Sequence, residues 1–308
     1  PPLPEQRRIV AKVESLLSEI HATRSRLAKS TALLKRFRQS VLAAACDGRL
    51  TEGWREEQPK LESADILLQR ISTVRAKRSS KAFPLDEDES IEIPETELPD
   101  SWAWCRVQQI ATVCLGGTPS RKKPEFWDGT IPWVSSGEVA NCRISSTRER
   151  ITDAGLKNSN AKIYPAGSVL IAMIGEGKTR GQSAILSISA CTNQNAAGLV
   201  FDTDNVNPEY VWLWALGEYA KNRDVGRGGN QPALNGRKVR SLPVPFPSLS
   251  EQTEIVRRVD SLFKIADTIE SQITTASARV EKTVQAVLAK AFRGELVATE
   301  AEPSATRH

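Results

Sequence analysis

The segment AMIGEGKTRG, residues 172–181, carries residue types that could do chemistry on a nucleotide. Gly177-Lys178-Thr179 follows Ala172 after four residues, a relaxed form of the phosphate-binding loop. In that motif backbone N–H groups and the lysine hold phosphates while the hydroxyl meets magnesium, but only when a strand enters the loop and a helix leaves it. The exit here, RGQSAILSISA, has alternating apolar positions and reads as a strand. Ala172 replaces the first glycine, and GLVFD, ending at Asp202, is a weak second carboxylate motif. Two readings remain: a glycine-rich hairpin turn, or a hairpin whose Lys178, Thr179 and Arg180 touch nucleic-acid phosphates.

Two other turn-rich segments share that vocabulary. GGTPSRKKPEFW places Thr118, Ser120, Arg121, Lys122 and Lys123 after a Gly-Gly turn, and Ser135 follows in WVSSGEV. VGRGGNQPALNGRKVR places Arg227, Asn230, Gln231, Arg237, Lys238 and Arg240 ahead of the last strand. Arginine reads guanine, and asparagine or glutamine reads adenine, through paired hydrogen bonds, so these loops hold the right side chains for base edges. Solvated surface loops have the same composition. Catalytic chemistry is poorly supplied: His21 lies in a helical segment and His308 at the end, which leaves no triad and no metal cluster in the central region. No Asn/Asp-Pro-Pro-aromatic motif and no glycine-rich loop after a strand offers a nucleoside cofactor site, so no cofactor, metal or catalytic residue is expected. The tryptophans from Trp102 to Trp214 read as packing rather than as stacking platforms.

Composition sets the frame for these loops. With 308 residues and 40% hydrophobic content the chain has room for about two packed domains. The net charge of +5 suits nucleic acid or an acidic partner without proving either. Its distribution is more telling, since residues 1–50 hold ten basic and four acidic groups, whereas residues 86–97 hold seven acids and no base. Five cysteines without a C-x-x-C pair encode neither a zinc site nor a disulfide framework, and a reducing cytoplasm is the simple expectation. No apolar run of about eighteen residues predicts a membrane span, no signal peptide opens the chain, and it does not start with Met.

The elements that must position the loops are announced by a repeat. PLPEQRRIVAKVESLL (2–17) returns as SLSEQTEIVRRVDSLF (248–263), and QSVLAAACDGRL (39–50) as QAVLAKAFRGEL (285–296), both at an offset of 246 residues. Each copy has a heptad pattern. In the first the seam reads Ile9, Val13, Leu16, Ile20, Thr23, Leu27, Ser30, Leu34, Phe37, Val41. In the second it reads Ile255, Val259, Leu262, Ala266, Ile269, Ile273, Ala276, Val280, Thr283, Val287. Two long helices follow, stopped at Gly48 and Gly294. Their matching seams predict mutual packing, and short connections across a compact middle domain favour an antiparallel pair.

Between them, ESADILLQRISTVRAKR predicts a short helix and DEDESIEIPETE an acidic, solvated tether. From Leu98 to Pro247 short β-rich runs (GSVLIAMI, SAILSIS, AAGLVF) alternate with turn residues, plus a helix candidate NPEYVWLWALGEYAKNRD. The expected fold is α+β: a mostly-β domain with small helices, flanked by two long helices in an antiparallel coiled coil. The expected boundaries are a long helix at 1–50, a linker at 51–97, the domain at 98–247, the second long helix at 248–297 and a flexible tail at 298–308.

LKRFRQSVLAAACDGRLTEGWR (34–55), EQTEIVRRVDSLFKIADTIESQI (251–273) and VLAKAFRGEL (287–296) resemble the two conserved helical regions of the specificity subunit of type I restriction-modification enzymes, in particular the IA-like group. LPDSWAWCRVQQIATVCLGGTPSRKKPEFWDGTIPWVSSGEV (98–139) resembles the opening of a target recognition domain, and GGNQPALNGRKVRSLPVPFPSLSEQ (228–252) its close. The resemblance implies a non-catalytic DNA reader whose helices form a ruler between two recognition domains. Each domain reads half of a split double-stranded target. Its implied partners are two methyltransferase subunits, which methylate adenine N6, and restriction subunits that add translocation and cleavage. Only one recognition domain is present here, so the expectation is a C-terminal portion beginning just after a first domain, or else a natural half-subunit that forms a homodimer. Two rival readings are a coiled-coil adaptor whose domain binds protein and an ATPase using Lys178.

Overall fold

The computed structural model describes residues 1–78, 88, 91–175, 177–225 and 234–298. The first half of the chain forms α1 (Leu3–Cys46), α2 (Glu52–Glu56), α3 (Ala64–Arg78), β1 (Ala103–Arg106), α4 (Val107–Ile110), β2 (Ala111–Leu115), β3 (Trp127–Val134), β4 (Cys142–Ile144) and β5 (Glu149–Ile151). There follow α5 (Asp153–Lys157), β6 (Val169–Ala172), β7 (Ser183–Leu186), β8 (Cys191–Thr192), β9 (Ala196–Phe201), α6 (Pro208–Gly217), α7 (Tyr219–Val225), α8 (Gly236–Ser241), β10 (Pro243–Phe246) and α9 (Leu249–Phe292). The chain divides into two compact units, Val41–Asp260 and Pro1–Ser40 with Ser261–His308. None of the described helices is long and apolar enough to cross a membrane.

In the helical unit α1 and α9 run antiparallel. Arg24 pairs with Glu281 at 2.6 Å, and Arg38 pairs with Asp267 at 2.5 Å and Glu270 at 2.9 Å, so partner numbers fall along α9 as they rise along α1. These exposed pairs add at most about 1 kcal/mol each, and their value is in register. Ile20, Leu34, Ala266 and Val287 are buried in the seam. The strict heptad expectation needs correction at four positions. Phe37 and Ile269 are 38% and 39% exposed, Thr23 and Thr283 are also exposed, and Arg24, Arg38 and Val284 turn partly inward instead. A straight helix at 3.6 residues per turn drifts about 20° per heptad against a 3.5 repeat, which carries the buried stripe onto the next residue.

The central unit has a five-stranded sheet in the order β2-β9-β6-β7-β4, a three-stranded sheet β5-β3-β8, and a separate β1-β10 pair. All pairings are antiparallel except β4 with β7 and β3 with β8. Both β6 (VLIA) and β7 (SAIL) are buried at every position, because α6 packs against both strands while their other face meets Tyr164, Val134 and Val139. This two-sided burial explains the apolar runs Val169–Ala172 and 184–186, to which Ser183 is the polar exception. The entrance to α6 is set locally by Pro208 and by the Asn207 side chain, which accepts from Glu209 N.

One buried carboxylate anchors the ends of the long helices inside this unit. Ser248 caps α9 by accepting from Glu251 N at 3.2 Å, a start that matches the S-x-x-E capping pattern. The Glu251 side chain does not reach back to the cap. It is wholly buried, and its two oxygens accept from Thr51 Oγ1 at 2.7 Å, Arg55 Nε at 3.0 Å and Trp102 Nε1 at 2.9 Å. Arg55 also donates to the carbonyl of Gly48 at 2.6 Å, just past the end of α1. Beside it, Gln252 accepts from Asn207 N at 2.8 Å and donates to Pro247 O at 2.9 Å.

Candidate nucleic-acid interface

The Lys178 segment connects two antiparallel neighbours in one sheet. β6 leads in, β7 leads out, and the turn is closed by Gly181 N donating to Ala172 O and Ala172 N donating to Gln182 O, each at 2.9 Å. No helix follows Thr179, so no row of N-terminal amides stands ready for a phosphate chain, and the nucleotide reading loses its geometric basis. Lys178 is exposed, and its carbonyl accepts from Tyr219 Oη at 2.6 Å, which ties the turn to α7. Thr179 is half-buried and its carbonyl accepts from Gln182 N. Arg180 is only 4% exposed, so its side chain packs inside the unit while Lys178 faces solvent.

The loops named from sequence converge on a stretch that sequence reasoning passed over, Asn193-Gln194-Asn195 between β8 and β9. Asn193 N donates to Val134 O at 3.1 Å and its side-chain amide donates to Ser136 Oγ at 3.3 Å, joining the loop after β3. Thr118 Oγ1 donates to Gln194 Oε1 at 2.5 Å, and Gly117 N donates to Thr192 O at 2.8 Å, joining the loop after β2. Met173 N donates to Asn195 O at 2.8 Å, joining the Lys178 turn, and Leu234 N donates to Met173 O at 3.0 Å, joining the approach to α8. Glycine is required at the tightest of these approaches. A Cβ on Gly116 would lie 2.2 Å from Thr192 O, and one on Gly117 would lie 2.4 Å from Ala161 N.

On this frame each candidate side chain has a definite place. Arg121 lies 3.6 Å over the Trp127 ring and makes a forked ion pair with Glu149, its Nη2 at 2.9 Å from Oε2. The hydrogen bond from Arg121 holds the Glu149 carboxyl below its ordinary range and in return raises the guanidinium. Trp127 donates to Ser120 O at 3.2 Å, and Trp133 to Gly117 O at 3.0 Å, so the tryptophans shape the loop as packing elements. Ser120, Lys122 and Lys123 are exposed, with Lys123 Nζ 5.0 Å from the Phe126 ring. Ser135 is engaged in a cap, its N and Oγ both donating to Glu138 Oε2 at 3.0 Å. Arg237 is exposed and Lys238 half-buried at the start of α8, where Asn235 Oδ1 accepts from Lys238 N at 2.8 Å. Arg227, Asn230 and Gln231 lie outside the described residues.

Gln194 is exposed and Asn195 half-buried, and both were missed. The signal was present as TNQNA, a polar run between a buried pair of residues and the apolar AAGLVF. A cation that was also missed is Arg143 on β4, 5.2 Å over Trp212 and paired with Glu209 at 2.6 and 2.9 Å. Its hydrogen bond to Glu209 raises its guanidinium. Among the described residues no group of three His, Cys, Asp or Glu side chains could hold a metal ion.

Cations and amides are thus displayed on cross-bonded loops at one end of the sheets. Residues 99–276 match the model of the type I restriction modification DNA specificity domain. The chain is 31% identical to the specificity subunit of the Escherichia coli type I restriction enzyme EcoDI, over 96% of its own length and 61% of that protein. It is 30% identical to the EcoBI specificity subunit of the same species, over 97% and 58%. A solved structure from work on assembly and conformational transition of the type I R-M system aligns with a TM-score of 0.67 at 20% identity, covering 96% of this chain and 60% of that one. The HsdS subunit from Thermoanaerobacter tengcongensis aligns at 0.55 and 19%, with the same coverage. These two likenesses establish the fold. The chain belongs to the type I restriction-modification DNA specificity family. It spans about three fifths of the length of the two E. coli relatives, 61% and 58%.

Proposed function

We propose that the domain at 98–247 reads one half of a bipartite double-stranded DNA target in the cytoplasm. The long helices dock two adenine-N6 methyltransferase subunits, and restriction subunits join in the full complex. The chain itself is the non-catalytic reader, and methylation and cleavage reside in the partners. The observation that carries this is the Asn193–Asn195 hub, which gathers the loops of Thr118, Arg121, Lys178 and Leu234 at one end of the sheets. Exposed Lys122, Lys123 and Lys178 supply phosphate contacts, which position a reader on the duplex, while amides and arginines supply base contacts, which specify it. Antiparallel α1 and α9, each 44 residues and about 66 Å long, fit a ruler between two reading heads.

The test is an exchange of residues 98–247 for the corresponding domain of a characterised relative, followed by methylation mapping of the reconstituted enzyme. One half-site is expected to change to the specificity carried by this chain while the other is retained. Two unchanged half-sites would remove the assignment. DNA binding that needs a methyltransferase partner separates this function from that of a protein-binding adaptor.

A further inference from the structure

The connection between β8 and β9 is held by hydrogen bonds on both flanks, yet its central side chain has no part in the fold's core. Asn193, at 9% exposure, spends its side chain within the frame: Nδ2 on Ser136 Oγ and Oδ1 accepting from Asn195 N at 3.1 Å. Backbone bonds fix both flanks, from Asn193 N to Val134 O and from Met173 N to Asn195 O. Gln194 stands between these two fixed points with its side chain exposed. A turn needs no glutamine there. An exposed glutamine ordinarily samples many rotamers, but the Thr118 hydroxyl donates to Gln194 Oε1 at 2.5 Å and holds this amide in one orientation.

We infer that Gln194 reads an adenine in the target through the major groove and that Thr118 is its positioning residue; the inference rests on the DNA-reading function proposed above. The chemistry closes without an unsatisfied group. Oε1 has two lone pairs, one taken by Thr118 and one left to accept from adenine N6–H, while Nε2 donates to adenine N7. No other base pair offers an acceptor and a donor at that spacing from a purine edge. A rigid frame holding a single amide meets the requirement that a reading group be pre-oriented by its neighbours.

The experiment is selection from a random duplex DNA pool by the chain assembled with its methyltransferase subunits, followed by sequencing. The wild type is expected to show one position in its half-site where A is preferred at least about 5-fold. Gln194→Ala flattens that position to near-equal use of the bases, with preferences at the other positions kept. Thr118→Val weakens the same preference, and Thr118→Ser, which restores the hydroxyl, recovers it. If wild type selects a half-site and Gln194→Ala selects the same one with the same strength, the inference is overturned and the reading function stands. If Thr118→Val and Thr118→Ser lose the preference equally, Thr118 is not acting through its hydroxyl. Failure of the wild type to select any half-site would remove the reading function and this inference with it.

Discussion

Replacing Glu251 by alanine tests whether the buried carboxylate organises the central unit. The side chain has no exposure, Arg55 only 17%, and the carboxylate serves Thr51 Oγ1, Arg55 Nε and Trp102 Nε1 at 2.7, 3.0 and 2.9 Å. Its removal leaves a buried hydroxyl, a buried indole N–H and a mostly buried guanidinium facing a void. Breaking a buried ion pair from one side costs about 3–5 kcal/mol, and two further orphaned donors point to the upper half of that range. Partial access of water to Arg55 works the other way, so about 4 kcal/mol is expected. Urea unfolding followed by tryptophan fluorescence reads this directly, since Trp102 is itself a ligand of the carboxylate. At an m-value of about 1–3 kcal/mol/M the midpoint falls by more than about 1 M. The control is Glu62→Ala, which removes the partner of Arg70 at 2.7 Å in a pair where Arg70 is 46% exposed, and it is expected to cost less than about 1 kcal/mol. A loss below about 1 kcal/mol for Glu251→Ala would refute the reasoning.

Lys178→Ala is expected to weaken DNA binding across all sequences and to lower the slope of log K against log salt by about one, as for a single lost phosphate contact; an unchanged slope in a salt titration would exclude Lys178 from the interface. One heptad inserted in each helix, near Arg24 and Glu281, adds about 10.5 Å per helix, so methylation mapping should find the unread spacer longer by about three base pairs. An unchanged spacer would sink the ruler. Glu254 is held down to about 2 by the hydrogen bond from Arg257, with a second from Arg258. A depressed carboxyl stabilises the fold above its unfolded value of 4.5 and loses that contribution as pH falls through about 2. The stability gap between wild type and Glu254→Gln is therefore expected to be constant above about pH 5 and to close toward pH 2; a gap that persists at pH 2 would contradict it.

The long helices were legible because their information is local and periodic. The doubled EQ-x-x-IV-x-x-V segments, the seam of Ile9 to Val41 and the stops at Gly48 and Gly294 follow from spacing alone, and both glycines do adopt left-handed φ, 80° and 72°. The strand character after Thr179 was also enough to set the phosphate-loop pattern aside, since alternation over RGQSAILSISA is a local property. Two local rules misled. Strict heptad spacing put Thr23 and Phe37 in the seam, because it leaves out the drift of a straight helix. Local composition also made Lys178 and Arg180 equivalent cations, whereas packing buries one and exposes the other.

The sequence by itself determined the two long helices, their antiparallel pairing and the cationic loops from which a DNA reader could be built. Only the tertiary structure decided which of those loops meet. Thr118 and Gln194 are 76 residues apart, and Thr51 and Glu251 200 apart. Periodicity reports on neighbours along one element, but a hydrogen bond between loops depends on strand order and register, and these are properties of the assembled sheets. For that reason the hub at Asn193–Asn195 was invisible as a run of polar letters and evident once β8 and β9 were in place.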